Sequence, residues 1–305
     1  MTDRADALVI EATDLRKHYG SIEALRGLNL QVPAGSIHGF LGRNGAGKTT
    51  TIKVLLGMTR PTSGSARVFG LPADAQDASV EIRRRIGFVS DDKDLYDYMT
   101  VGEIIRFTAA FFPKWRADLE QTYVRKFELP LDRRIKALSR GTRTKLSLLL
   151  VLCRRADLLI LDEPTSGLDP AVTEEILQTL VSHVASEAMT VFFSSHQISE
   201  VDQIADRVTI IDRGRAVVSG SLDDLREQYR RVQLVFDGEA PDALETMSRV
   251  PGVVRVRRSG RILTVLSSAG ADRVLDEART LNPMSTDIVP VTLKEIFLES
   301  IAAED

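Results

Sequence analysis

The apolar positions along the chain fall into two rhythms. In residues 8–41, short apolar runs are separated by turn residues at Tyr19-Gly20-Ser21 and Pro33-Ala34-Gly35. That pattern predicts strands, the last being Ile37-His38-Gly39-Phe40-Leu41. From Lys48 the spacing changes to Ile52, Leu55 and Leu56, which suits a helix that stops at Gly57, ahead of Pro61. Strand, glycine-rich turn and helix therefore follow one another directly. Residues from Thr100 to about Arg155 keep the helical period, open on the capping box Thr100-x-x-Glu103 and break near Pro130, so a helical subdomain is expected as an insertion at about residues 92–155. Strand runs return at 158–161 and 190–194 and in a hairpin at 208–218 turning at Asp212-Arg213-Gly214, with helices between the first two. Continuous apolar strands alternating with helices predict a mostly parallel sheet covered on both faces, and hence an α/β first domain at 1–230.

Beyond a short helix at 222–229 the pattern changes. Strand runs at 232–236, 253–256, 263–266 and 288–291 alternate with helices beginning at Asp242 and Ala271. The order β-α-β-β-α-β is that of a small two-layer, ferredoxin-like motif. It predicts a second, α+β accessory domain at 231–305, closed by a helix opening at the capping box Thr292-x-x-Glu295.

Composition narrows the function classes. With 305 residues, 43% of them hydrophobic, the chain has enough core for roughly two domains of ~150 residues. Lys+Arg 40 against Asp+Glu 43 leaves a net charge of −3, so the whole-molecule field does not attract nucleic acid or anionic membrane. The basic runs Arg83-Arg84-Arg85 and Arg255, Arg257, Arg258, Arg261 read as solvated faces, and no nucleic-acid partner is expected. One cysteine, Cys153, and four histidines exclude a disulfide scaffold and a clustered structural zinc site, which fits a reducing compartment. Cys153 ends an apolar helical run and reads as a structural thiol. The longest apolar stretches, 146–153 and 208–211, fall far short of the ~20 residues of a membrane span. Residues 1–6 alternate charges and precede no signal-type apolar block, so neither secretion nor a lipid anchor is expected.

The chemistry concentrates in two segments. Gly42-Arg43-Asn44-Gly45-Ala46-Gly47-Lys48-Thr49 fits G-x-x-x-x-G-K-[ST] and lies between a predicted strand and a predicted helix, the context such a phosphate loop needs. Its glycines let backbone N–H groups turn inward around a phosphate chain, Lys48 bridges the terminal phosphates, and the Thr49 hydroxyl can ligate Mg²⁺, with Thr50 completing the set. Leu158-Leu159-Ile160-Leu161-Asp162-Glu163 is an apolar strand ending in two carboxylates, suited to place Asp162 towards Mg²⁺ and Glu163 towards an attacking water. Alone it reads more readily as a strand followed by a polar turn; beside the phosphate loop the balance reverses.

With these motifs in this order, the chain from Leu8 to about Ser219 resembles the ATP-binding cassette (ABC) ATPases. In that resemblance Gly42 to Thr49 is the Walker A loop, Asp162 the Walker B aspartate, Glu163 the catalytic glutamate, and Ser166-Gly167-Leu168-Asp169 the D-loop. His196 resembles the switch histidine, and Tyr19 the aromatic that stacks on adenine. Leu138-Ser139-Arg140-Gly141-Thr142 stands where the family has its LSGGQ signature, Arg140 replacing the first of the paired glycines and Thr142 the glutamine. Asp91, after Ile86 to Ser90, stands where the family's Q-loop glutamine is usual, which would put a carboxylate beside Mg²⁺. Asp169 before Pro170 is also a good helix cap, and the two roles are compatible.

The resemblance implies a P-loop core with an antiparallel β subdomain and a helical insertion, the cofactors ATP and Mg²⁺, and a head-to-tail dimer. In that dimer ATP lies between the Walker A loop of one chain and Ser139 and Gly141 of the other. The family also implies a separate membrane permease as partner, a position on the inner face of the cell membrane, a homodimer or a heterodimer with another ABC ATPase, and, from the short cassette with its variant signature and C-terminal helix, an export-type transporter. The competing readings are weaker. A soluble mechanical ATPase acting on ribosomes or DNA generally carries two cassettes, a long coiled-coil insertion or zinc cysteines, none of which is present. A GTPase switch needs N/T-K-x-D, and Thr144-Lys145-Leu146-Ser147 lacks the aspartate.

Overall fold

The computed structural model describes residues 7–92, 95–187 and 189–302; residues 1–6, read above for a signal segment, lie outside the described residues. The chain forms two compact units that part at Ala216/Val217. The first begins β1 (Leu8–Tyr19), β2 (Ile22–Pro33), β3 (Ile37–Leu41), α1 (Lys48–Leu55), β4 (Ser63–Val68), β5 (Leu71–Pro72), α2 (Gln76–Arg85) and β6 (Ile86–Val89). The helical insertion follows as α3 (Val101–Ala109), α4 (Ala117–Lys126), a short 3-10 turn and α5 (Arg140–Leu152). The chain then continues through β7 (Leu158–Asp162), α6 (Pro170–Glu187), β8 (Thr190–Ser195), α7 (Ile198–Ile204), β9 (Arg207–Asp212) and β10 (Arg215–Ser221).

Two sheets sandwich α1. The antiparallel sheet runs β2-β1-β4-β5, and its β1–β2 register pairs Ala12 with Leu30 and Leu15 with Leu28, residues whose side chains point to one buried face. The second sheet runs β10-β9-β3-β8-β7-β6. Within it β3 pairs in parallel with β8 and β9, and β7 with β6 and β8. Every residue of β3, β7 and β8 is buried, as continuous apolar strands under two layers require. Leu28 and Leu30, Ile52 and Leu55 of α1, and Ile160 and Phe192 of the parallel sheet share one apolar cluster, each such burial contributing about 1.5–3 kcal/mol.

The parallel register positions the chemistry. Leu41 lies opposite Ser195, and Asp162 opposite Ser194, so β3, β7 and β8 end side by side and deliver the Gly42 loop, Glu163 and His196 to the same carboxyl edge. Open α/β sheets bind ligands at that edge. In the insertion, the capping box at α3 forms as expected: Glu103 Oε2 accepts the Thr100 N–H at 2.7 Å while the Thr100 hydroxyl accepts the Glu103 N–H at 3.2 Å. Cys153 is buried at the end of α5, and burial pushes its thiol up to about 12, so it stays protonated and structural.

The second unit contains α8 (Leu222–Gln228), β11 (Arg230–Val235), α9 (Leu244–Ser248), β12 (Val253–Ser259), β13 (Ile262–Ser267), α10 (Asp272–Arg279), β14 (Ser285–Pro290) and α11 (Leu293–Ala302). Its antiparallel sheet runs β12-β13-β11-β14, the ferredoxin-like order, and Val232, Leu234, Leu263 and Val265 form its core with Met247 of α9 and Val274 of α10. The Thr292/Glu295 box caps α11. The sequence reading closed the first domain at 230, whereas the structural division falls inside β10; the end of α8 is tied to the second unit by the Gly270 N–H, which donates to the Gln228 carbonyl at 3.0 Å.

Candidate functional site

The loop between β3 and α1 is shaped by two glycines that admit no side chain. A Cβ on Gly42 would fall 2.6 Å from the Ile211 carbonyl oxygen. Gly47, at φ +113, lies in the left-handed region, and a Cβ there would be 2.8 Å from the Ala24 oxygen. The Gly42 N–H donates to Ser195 O at 3.1 Å and the Gly214 N–H to Ala46 O at 2.9 Å, fixing the loop against β8 and the β9–β10 turn. Lys48, the first residue of α1 and only 6% exposed, folds back so that Nζ donates to Gly42 O at 2.7 Å and Arg43 O at 3.2 Å. Positive charge and the positive end of the helix dipole thus meet at one point, the arrangement that receives phosphate. A cavity of about 220 Å³ opens there, lined by Ala24, Asn44, Gly45, Gly47, Lys48, Thr49, Thr50, Asp91 and Glu163, while Ala46 of the same loop is buried and does not line it.

The carboxylates come from the end of β7. Asp162 is buried, and the Ser194 hydroxyl donates to its Oδ1 at 2.6 Å while accepting the Glu163 N–H at 3.0 Å. Glu163 has φ +48, a left-handed conformation that costs a non-glycine residue about 1–3 kcal/mol and that the Ser194 bond helps to hold. Its Oε1 lies 3.1 Å from Lys48 Nζ as an ion pair outside hydrogen-bonding geometry, and its Oε2 lies 2.7 Å from His196 Nδ1. Lys48, Glu163 and His196 therefore form one chain of contacts, Lys48 and Glu163 on the cavity wall and His196 behind Glu163 Oε2. The sequence pattern did not flag Ser194; its only signal is the polar Ser194-Ser195 pair ending the apolar strand β8 just before His196. Ser194→Ala is expected to destabilise the protein by about 1–3 kcal/mol, because a buried carboxylate oxygen and an N–H lose their partner, and to slow hydrolysis more than it weakens nucleotide binding. Denaturant unfolding and steady-state kinetics measure the two effects, and a variant as stable as the parent would remove Ser194 from this role.

Thr49, Asp162 and Asp91 offer hard oxygen atoms, and no group of three metal-ligating side chains occurs among the described residues. Mg²⁺ fits such a set, since it is usually held by one or two carboxylates together with phosphate oxygens and water.

Ser139, Gly141, Asp169 and Tyr19 stand apart from the cavity lining. Ser139 caps α5, its oxygen accepting the Thr142 N–H at 3.2 Å, and Gly141 faces Val172. Asp169 caps α6 by accepting the Val172 N–H at 3.0 Å, with Pro170 as the first helical residue. Tyr19 is 45% exposed, with Lys17 Nζ 5.0 Å from its ring centroid. Asp91 joins the lining and also pairs with Arg140 Nη2 at 3.3 Å.

A phosphate loop before α1, a strand-end Asp-Glu pair and a histidine on the glutamate, set between two sheets with a helical insertion, define a P-loop ATPase of the cassette type. The ABC transporter family profile matches residues 25–166. The chain is 34% identical over 296 residues to the bacitracin transport ATP-binding protein BcrA of Bacillus licheniformis, covering 95% of each. It is 33% identical over 264 residues to the Nod factor export ATP-binding protein I of Ralstonia nicotianae, covering 84% of this chain and 80% of that one. Among solved structures, the ATP-binding subunit of an ABC transporter superposes with a TM-score of 0.65 at 28% identity, over 72% of this chain and 92% of that one. The chain belongs to the ABC transporter ATP-binding proteins and is an ATPase.

Proposed function

We propose that this chain supplies the energy for export through a separate membrane permease, working at the inner face of the cell membrane in a head-to-tail pair of ATPase chains. The observation that carries the reading is the division of the site: Lys48 and Glu163 line the cavity and meet as an ion pair, with His196 on the far oxygen of Glu163, while Ser139 and Gly141 stand outside that set. Ser139 and Gly141 at the start of α5 form a second anion-receiving helix terminus, which a second chain's nucleotide would occupy.

In this reading Lys48 holds the terminal phosphates, and Glu163 takes a proton from the water that attacks the γ-phosphorus. The bond between that phosphorus and the β,γ-bridging oxygen breaks, leaving ADP and phosphate. His196, on Glu163 Oε2, holds the carboxylate towards that water. Bound Mg²⁺ would offset the charge on the phosphate oxygens, with Thr49, Asp162 and Asp91 as the residues to hold it.

No described helix is long and apolar enough to cross a membrane, and the reading assigns the bilayer path to the permease. Its docking face is the aromatic patch of the helical insertion, where Tyr98 and Phe111 are 69% and 65% exposed. Tyr96 contacts Tyr98 and Phe107, and Phe107 contacts Phe111, at centroid distances of 5.1–5.8 Å. Contiguous exposed aromatics mark protein interfaces. The names of BcrA and the Nod factor protein, with transport and export in them, support the transporter reading and its direction.

The test is affinity purification of the tagged chain from detergent-extracted membranes. An integral membrane protein in stoichiometric amount is expected, lost in Tyr98→Ala/Phe111→Ala while nucleotide binding persists. Recovery on ribosomes, or of the chain alone, would overturn the transporter reading.

A further inference from the structure

The two side chains that depart from the cassette pattern meet in space. Arg140, in place of a signature glycine, reaches from the first residue of α5 to the loop after β6, where its Nη2 donates to Asp91 Oδ1 at 3.3 Å. It gets there by crossing Gly167: a Cβ at that position would lie 2.9 Å from Arg140 Nη1 and 3.1 Å from Cζ, and Gly167 itself sits at φ +69. Asp91 at the far end of the contact lines the nucleotide cavity with Lys48, Thr49 and Glu163.

We infer that Arg140 is a positioning residue for Asp91, an intrachain counter-ion that holds the carboxylate out of conflict with the phosphate chain until Mg²⁺ claims it. The inference rests on the nucleotide-site reading above. A bare carboxylate on the cavity wall repels a triphosphate, and a guanidinium on its oxygen cancels that repulsion. The same guanidinium competes with a divalent cation for the oxygen, so Arg140 acts in opposite directions on metal-free nucleotide binding and on the Mg²⁺ requirement. The pair is built to open: its side chains are 52% and 48% exposed, and exposed pairs shift equilibria by only about two- to fivefold. A pair this weak would yield its Asp91 oxygen to a doubly charged cation brought in with the nucleotide. An Arg140 that served only to anchor α5 would have no reason to affect the two quantities in opposite directions.

The experiment uses the full chain and a fluorescent, slowly hydrolysed ATP analogue, with affinity measured in EDTA and again across a Mg²⁺ titration. Arg140→Gln is expected to weaken binding in EDTA by about two- to fivefold and to lower the Mg²⁺ concentration for half-maximal tightening by a similar factor. Arg140→Lys, which keeps the charge, should restore most of both. Asp91→Gln should bind at least as tightly as the parent in EDTA and require more Mg²⁺, and in that background Arg140→Gln should change neither quantity. Equal effects of Arg140→Gln with and without Asp91, or shifts of both quantities in the same direction, would overturn the pairing. A parent protein that binds the analogue in neither condition would overturn the site reading itself, and so the two failures are told apart.

Discussion

Lys48→Ala is expected to abolish ATP hydrolysis in a protein that still folds. The ammonium is only 6% exposed and reaches Gly42 O, Arg43 O and the Glu163 carboxylate, so it is the buried positive charge of the cavity on which terminal phosphates would settle. A charged hydrogen bond contributes about 1.5–3 kcal/mol, so nucleotide affinity should fall about 10- to 100-fold, and turnover further, because charge on the departing phosphates is no longer offset. Alanine is a strong helix former, and α1 keeps Ile52, Val54 and Leu55 in the core. Circular dichroism and the unfolding midpoint check the fold, while phosphate release measures the loss. Unchanged turnover in folded Lys48→Ala protein would remove Lys48 from the site.

Glu163→Gln should separate binding from hydrolysis. Glutamine keeps the volume and can still contact His196, but it takes no proton from the attacking water, a loss typically of about 10²- to 10⁴-fold. If ATP between the two chains closes the proposed pair and its hydrolysis opens it, the variant should accumulate as a dimer when ATP and Mg²⁺ are added, seen by size-exclusion chromatography with light scattering. Hydrolysis at the parent rate would contradict the role of Glu163; a variant that stays monomeric in ATP would contradict nucleotide-driven pairing of the isolated chain.

Much of this site was legible in the sequence because its parts are contiguous. The phosphate loop reads out as a strand, a glycine pattern and a helix within twenty residues of chain. Glu163 follows an apolar run that reads as a buried strand, and its place in a parallel sheet follows from burial on both faces. Contacts between distant segments were not legible. Ser194 is an unremarked serine until the register puts it opposite Asp162, and Arg140 and Asp91 read as two separate departures until the Arg140 side chain crosses Gly167 to reach Asp91. β4 escaped notice because Ser63–Val68 offers only Ala66 and Val68 to the core; it is a strand through its pairing with β1, not through its own alternation. Tyr19, which only the resemblance marked, has an exposed ring off the cavity lining.

The central claim, that each catalytic site is shared between two chains, is tested most directly by mixing two inactive variants. Lys48→Ala disables the phosphate loop, and Ser139→Ala disables the α5 terminus offered to the other chain. In a mixed pair of copies, one site carries both defects and the other carries neither. Mixing equal amounts with ATP and Mg²⁺ should therefore restore hydrolysis to about one quarter of the parent rate, half the pairs being mixed and each holding one intact site of two. A mixture as inert as its components would contradict the shared site in a pair of these chains.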